Sequence, residues 1–222
     1  MDVHGYRFLP GSVSDAACDA LVAALCEHAA RLPSSRRGGL RNLLSAVPAV
    51  ARFARSPVIR SLIEPILGAD ACAVRGLFFD KPRSANWRVP WHRDRVIAVR
   101  ERREVPGYGA WSTKDGVVHV EPPRALLDGM LALRLHLDAV DADNGPLTVI
   151  PGSHRDVDVS DDAAIEEARA IAITGERGSV LLMRPLLAHA SQPAKHPDHR
   201  RVLHLEFAAC GLPGGIEWYE RR

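Results

Sequence analysis

Histidine and aspartate stand two residues apart at His92/Asp94, His136/Asp138, His154/Asp156 and His196/Asp198. On an extended strand, residues i and i+2 project from one face, so any of these pairs could offer an imidazole and a carboxylate to a common ion. With a second histidine from elsewhere, such a pair makes a facial donor set that suits iron(II) and leaves the opposite coordination positions open. His189, in "PLLAHAS", is the candidate distal histidine, because it ends an apolar run that should lie in the core. His154/Asp156 and His196/Asp198 fall in polar, turn-rich stretches, where solvated side chains are expected. His92/Asp94 in "VPWHRDRVIAV" and His136/Asp138 in "LALRLHLDAV" remain, and spacing alone does not separate them.

Donors of this kind need a rigid frame. The stretch "SVSDAACDALVAALCEHAARL" reads as a helix, with Ser14 as N-cap and Ala17, Leu21, Leu25, His28 and Ala29 near one face. "SSRRGGLRN" reads as a loop, and two shorter helices follow, broken at Ser56-Pro57 and Gly68. From about residue 71 the character changes to short apolar or alternating runs separated by Pro, Gly, Asn and Asp. In "LALRLHLD", Leu131, Leu133, Leu135 and Leu137 face one way while Arg134, His136 and Asp138 face the other. The expected fold is mainly β with helices (α+β): a β-sandwich or barrel-like core with N-terminal helices packed outside. One domain over 1–222 is expected, with a helical entry at 1–70 and the β core at 71–210. "DADNGPL" is a turn between strands, with Asn144-Gly145 supplying the positive backbone angle.

A formal charge of +2 over 222 residues is too balanced to argue for nucleic acid or an acidic membrane surface. No apolar run approaches the roughly 20 residues of a membrane span, and "MDVHGYRFLPGS" lacks the pattern of a secretory signal, which favours the cytoplasm. Cys18, Cys26, Cys72 and Cys210 form no paired spacing, so a zinc site is not expected from them. Cys18 and Cys26 are expected to act as small buried hydrophobes on the first helix.

In order along the chain, "WHRD", "NGPLTVIPGSHR", "LLAHAS" and "HRRVLHLEF" resemble the phytanoyl-CoA dioxygenase family of iron(II)/2-oxoglutarate oxygenases, over about residues 75 to 208. The resemblance implies a double-stranded β-helix, the cupin-like jelly roll. In that family the His-x-Asp pair precedes the Asn-Gly-Pro-Leu turn, which selects His92 and Asp94. With His189 these become the implied iron ligands, and O2 and 2-oxoglutarate the implied cosubstrates. The family places an arginine near position 200 on the distal carboxylate of 2-oxoglutarate, and a guanidinium can grip it with two parallel hydrogen bonds. Strand alternation favours Arg200, on the side of Val202, His204 and Glu206, over Arg201, on the side of Leu203, Leu205 and Phe207. Ser191 matches a family serine that contacts the same carboxylate. Arg134 stands where some relatives carry an aromatic, so it is a second cosubstrate contact or a substrate anchor. Lys81, in "FFDKP", could add positive charge near the pocket, although a solvated lysine is the expected reading.

The implied reaction converts 2-oxoglutarate to succinate and carbon dioxide while a small molecule is hydroxylated. Related halogenases lack the carboxylate ligand, so Asp94 favours hydroxylation. The segment 95–130 is longer than a strand connection requires and is expected to form a substrate-side insertion. Its Arg95, Trp111 and His119, with Arg100 and Lys114, could line a mouth for an anionic or polar small molecule. Two other classes share the same scaffold: a cupin-like metalloenzyme without 2-oxoglutarate, and a silent jelly-roll binding domain. Arg200 and Ser191 argue against the first, and the complete triad against the second.

Overall fold

The computed structural model describes residues 1, 3–33, 39–84, 86–156, 169–209 and 211–222. Cys210 and most of the loop expected at 34–42 lie outside the described residues. Helix α1 (Asp15–Ala30) starts where the sequence predicts, with the Ser14 hydroxyl accepting from Ala17 N. Its buried stripe is Cys18, Leu21 and Leu25, whereas Cys26 is exposed. One residue past Leu25 turns a helical side chain by about 100°, away from the sheet. Short helices α2 (Leu43–Ala46), α3 (Pro48–Ala54) and α4 (Pro57–Leu67) follow. Pro48 and Pro57 stand in first turns, where a missing N–H costs nothing.

The β core is two antiparallel sheets. One is built from β1 (Tyr6–Leu9), β2 (Gly39–Leu40), β3 (Cys72–Phe79), β8 (Met130–His136), β11 (Val180–Met183) and β13 (Val202–Ala208), in the order β1-β11-β8-β13-β3-β2. The other is built from β4 (Val89–His92), β9 (Leu147–Val149), β10 (Ile171–Ile173) and β12 (His189–Ser191), in the order β10-β9-β12-β4. A third, three-stranded sheet of β5 (Ile97–Val99), β7 (Val117–Glu121) and β6 (Gly109–Lys114) precedes the short helix α5 (Arg124–Asp128).

Period-two alternation divides the large sheet. Leu131, Leu133, Leu135, Leu203, Leu205 and Phe207 pack with α1, α3 and α4 in one cluster on its outer face. Arg75, Arg134, His136, His204 and Glu206 alternate with those residues and are nonetheless buried. They point to the inner face, where Ala132, Leu181 and Met183 meet Leu147, Val149 and Ile173 of the small sheet. An outer apolar face under helices and an inner polar face under a second sheet is the expected jelly roll.

Three local expectations change. The apolar run that leads to His189 is split between the sheets: β11 ends at Met183 in the large sheet and β12 opens at His189 in the small one. Pro185 lies in the crossing and has no N–H to continue a ladder. His189 therefore begins a strand rather than ending one. Second, β4 stops at His92 and β5 starts at Ile97, so Asp94 lies between strands, its N–H bonded to Pro185 O at 2.9 Å. Third, the segment from 95 onward forms the third sheet, whose Ile97, Val99 and Val120 pack in one cluster with Val74, Met130 and Ala208 of the large sheet and with Leu127 and Trp218.

Candidate active site

Antiparallel pairing sets His189 of β12 directly opposite His92 of β4, with ring centroids 4.2 Å apart. His92 Nδ1 is 2.8 Å from Pro90 O and His189 Nδ1 is 2.8 Å from Leu187 O. A carbonyl can only accept, so each Nδ1 carries the hydrogen and each Nε2 presents a lone pair. Those Nε2 atoms face the Asp94 carboxylate, at 3.9 Å (His92 to Oδ1) and 3.7 Å (His189 to Oδ2). Among the described residues, His92, Asp94 and His189 form the group whose donor atoms all lie within 4.8 Å of one another. Bonds of about 2.0–2.2 Å from imidazole and carboxylate to a divalent ion suit that spacing. Burial opposes the Asp94 charge, yet His189, His204, His92 and Arg75 together hold its carboxyl below the usual range. Burial likewise pushes His189 below its ordinary value. The donors are thus a carboxylate and two Nε2 lone pairs, the forms a metal requires.

The competing pair is dismantled by one contact. Asp138 accepts from Arg201 at Nη2 (2.5 Å), Nε (2.8 Å) and the backbone N (2.8 Å). The carboxylate is therefore occupied, and His136 lies on the inner face without it, pushed down to about 4 by burial and then by Arg134 and Arg200. His196 and Asp198 are exposed, as expected. His154 is not: it is buried under Gly5, while Asp156 accepts from Arg93 Nη2 at 2.7 Å.

His92, Asp94 and His189 open onto a cavity of about 590 Å³. Arg134, Arg200, Ser191 and Lys81 line it together, with apolar walls at Leu77, Phe79, Val89 and Leu147. Arg200 is 3% exposed and its Nε has no hydrogen-bond partner. Its backbone N is held by Asp80 Oδ1 at 3.2 Å, which aims the residue inward. Arg134 Nη1 donates to His204 Nδ1 at 3.2 Å and its guanidinium lies 5.5 Å over the Phe79 ring.

Lys81 overturns the expectation of a solvated lysine. It is 1% exposed, donates to Ser191 Oγ at 3.1 Å and also bonds Gln192 O. Burial, then Arg200 and Arg134, push its ammonium down to about 7. Gly145 makes the room: a Cβ there would stand 2.5 Å from Gln192 O and 3.2 Å from Lys81 Nζ. The "NGPL" glycine is thus required by its φ of +73° and by this close approach.

Of the three expected substrate contacts, Arg95 lines the cavity. Trp111 is not in its lining and instead packs on the third sheet's core, 5.6 Å beneath the Arg102 guanidinium. His119 is buried one layer back, accepting from Arg75 Nη2 at 3.3 Å because its Nδ1 faces Val117 O at 3.0 Å. Alternation along a strand places Trp111 and His119 correctly only once the hairpin's own bulge between Gly109 and Ser112 is known. Arg41 and Arg75 line the cavity and are absent from the sequence expectations. For Arg75 a signal existed, since an arginine within the apolar run "ACAVRGLFFD" must face a polar interior; for Arg41 none did.

A family model for "Phytanoyl-CoA dioxygenase (PhyH)" matches residues 1–202. The chain belongs to the phytanoyl-CoA dioxygenase family. Membership makes it an enzyme of the iron- and 2-oxoglutarate-dependent oxygenase superfamily. Among solved structures, the alpha ketoglutarate dependent epimerase SnoN from nogalamycin biosynthesis is similar at TM-score 0.72 and 15% identity, covering 96% of this chain and 84% of that one. The carbocyclase SnoK from the same biosynthesis is similar at TM-score 0.69 and 14% identity, covering 92% and 79%. HygX from Streptomyces hygroscopicus, solved with nickel and 2-oxoglutarate bound, is similar at TM-score 0.67 and 14% identity, covering 93% and 83%. At these identities the likeness speaks for the jelly-roll fold. No curated protein sequence matches the chain, and among the described residues no helix is long and apolar enough to cross a membrane.

Proposed function

We propose that this family member hydroxylates a small anionic molecule, with His92, Asp94 and His189 as the iron(II) ligands. Arg200, Ser191, Lys81 and Arg134 receive the distal carboxylate of 2-oxoglutarate, and the wall formed by the segment 95–130 faces the substrate. The observation that carries this reading is the convergence of two lone-pair-bearing Nε2 atoms and one carboxylate on a cavity that Lys81, Arg134 and Arg200 also line. When bound, iron, 2-oxoglutarate and O2 together supply the oxidising chemistry, releasing succinate and carbon dioxide. The chain's own part is positional. Carbonyls at Pro90 and Leu187 hold the two imidazoles in one tautomer. Pro185 O holds the Asp94 backbone. The apolar walls keep water from the reacting centre, which strengthens every charge inside.

That cationic group is what favours 2-oxoglutarate over a cupin-type reaction without it. Arg200 Nε is buried without a partner, a costly arrangement unless an anion arrives. Retention of Asp94 favours hydroxylation over halogenation, because that position is filled by protein oxygen. Anaerobic titration of the iron(II) protein with 2-oxoglutarate should develop a weak visible charge-transfer band. Its absence in wild-type protein removes this reading.

Lys81 adds a pH dependence. The dicarboxylate is fully ionised from pH 6 to 9, so its affinity follows the Lys81 charge. Protonated Lys81, dominant below about 7, binds the carboxylate; neutral Lys81 does not. Affinity for 2-oxoglutarate should therefore fall as pH rises from 6 to 9, by on the order of tenfold. Lys81→Met should show weak, pH-flat binding across that range. A wild-type affinity that rises with pH would refute the assignment.

A further inference from the structure

The cavity holds more positive charge than one dicarboxylate requires, and the excess is in a different place. Lys81, Arg134 and Arg200 form one group, Arg200 and Arg134 acting on the Lys81 charge and Arg200 on that of Arg134. Arg41, Arg75 and Lys114 form a second group. Arg75 projects from the inner face of β3 opposite Glu206 of β13, with Nη1 donating to Glu206 Oε1 at 3.0 Å. The β6–β7 hairpin closes over it by two contacts. His119 of β7 accepts from Arg75 Nη2, and Asp115 at the hairpin turn lies 3.3 Å from Arg41 Nε. Because Asp115 directly follows Lys114, that ion pair brings the lysine beside Arg41.

We infer that Arg41, Arg75 and Lys114 form a substrate subsite for a single carboxylate, across the His92–Asp94–His189 cluster from the cosubstrate's anchor. His119 is a positioning residue that holds Arg75 from behind. Charge balance selects the ligand class. Glu206 already pairs with Arg75 and Asp115 with Arg41, so little surplus positive charge is left, which suits a monocarboxylate better than a phosphate dianion. Glu121, the other acidic lining residue of this wall, is at the far end of the hairpin from Lys114, opposite Gly109. Four residues of strand put it about 13 Å away. The buried Arg75–Glu206 pair supplies a rigid donor fork, while the more exposed Arg41 and Lys114 can adjust to the incoming group.

The subsite rests on the proposed function only for its role as substrate anchor; the carboxylate binding itself is separable. The probe is 3-phenylpropionate, titrated by calorimetry into protein carrying nickel(II) and saturating 2-oxoglutarate, and separately into metal-free protein. Binding should survive 2-oxoglutarate saturation and weaken at least tenfold in the Arg41→Gln/Lys114→Gln double variant, whose side chains are exposed enough to spare the fold. In the metal-free protein, Arg200→Gln should leave this component intact. The uncharged 3-phenylpropionamide should not bind. Loss of all probe binding on saturation, or equal binding to the double variant, overturns the subsite. Tighter binding of 2-phenylethyl phosphate overturns the choice of carboxylate. If 2-oxoglutarate itself fails to bind, the oxygenase reading fails, while the metal-free titration still decides the subsite.

Discussion

Asp94→Ala protein is expected to lose stoichiometric iron(II) binding and all 2-oxoglutarate turnover, while Asp138→Ala protein keeps both. The two aspartates have the same spacing from a histidine, so the contrast tests tertiary placement rather than residue type. Asp94 would supply the carboxylate donor between two Nε2 lone pairs, and without it a divalent ion would meet two nitrogens and no compensating charge. The loss should exceed the roughly 10- to 100-fold typical of removing an outer partner of a metal site. Asp138, two residues past the end of β8, instead closes a bidentate pair with Arg201. Its removal should cost about 2 kcal/mol and lower the unfolding midpoint by several degrees. Metal content after gel filtration, read beside a thermal melt, separates the outcomes. Equal metal loss in both variants would reject His92, Asp94 and His189 as the ligand set.

Arg200→Ala is expected to weaken 2-oxoglutarate by about a hundredfold or more, and Arg201→Ala by less than threefold. Truncating one side of a desolvated charge pair typically costs about 2–5 kcal/mol. Arg200 is buried, faces the cavity and has an Nε with no other partner. Arg201 is already committed to Asp138, which pushes its charge further toward permanence. Arg200→Lys should recover only part of the loss, since an ammonium cannot reproduce the two parallel bonds of a guanidinium. Affinities taken from the charge-transfer band in the anaerobic iron(II) protein check the order. Similar losses at 200 and 201 would remove Arg200 as the cosubstrate arm.

Much of the frame was legible because it is local. Alternation in "LALRLHLD" and "RVLHLEF" assigns the leucines to the helix-covered face and Arg134, His204 and Glu206 to the interior, and the structure has them so. The same parity separates Arg200 from Arg201. Capping by Ser14 and the first-turn prolines mark helix starts for equally local reasons. The route by which His92 and Asp94 meet was not legible. They share no strand face; Asp94 is turned inward by a backbone bond to Pro185, ninety-one positions along the chain. Lys81 reads as solvated because nothing near it in sequence shows that Gly145, Ser191 and Gln192 close around it.

By itself, then, the sequence determined the class of fold, the faces on which the residues of β8 and β13 stand, and a short set of candidate donors in the family's order. Spacing left two pairs open and the family order favoured His92 and Asp94; the tertiary structure supplies the physical reason, because Asp138 is neutralised by Arg201, just ahead of β13. That structure alone gathered Arg41 and Arg75 with Lys114 into the same cavity. The physical reason is range. Backbone geometry repeats every two residues and leaves its mark in adjacent letters, whereas charge neutralisation and burial depend on pairings between strands far apart in the chain.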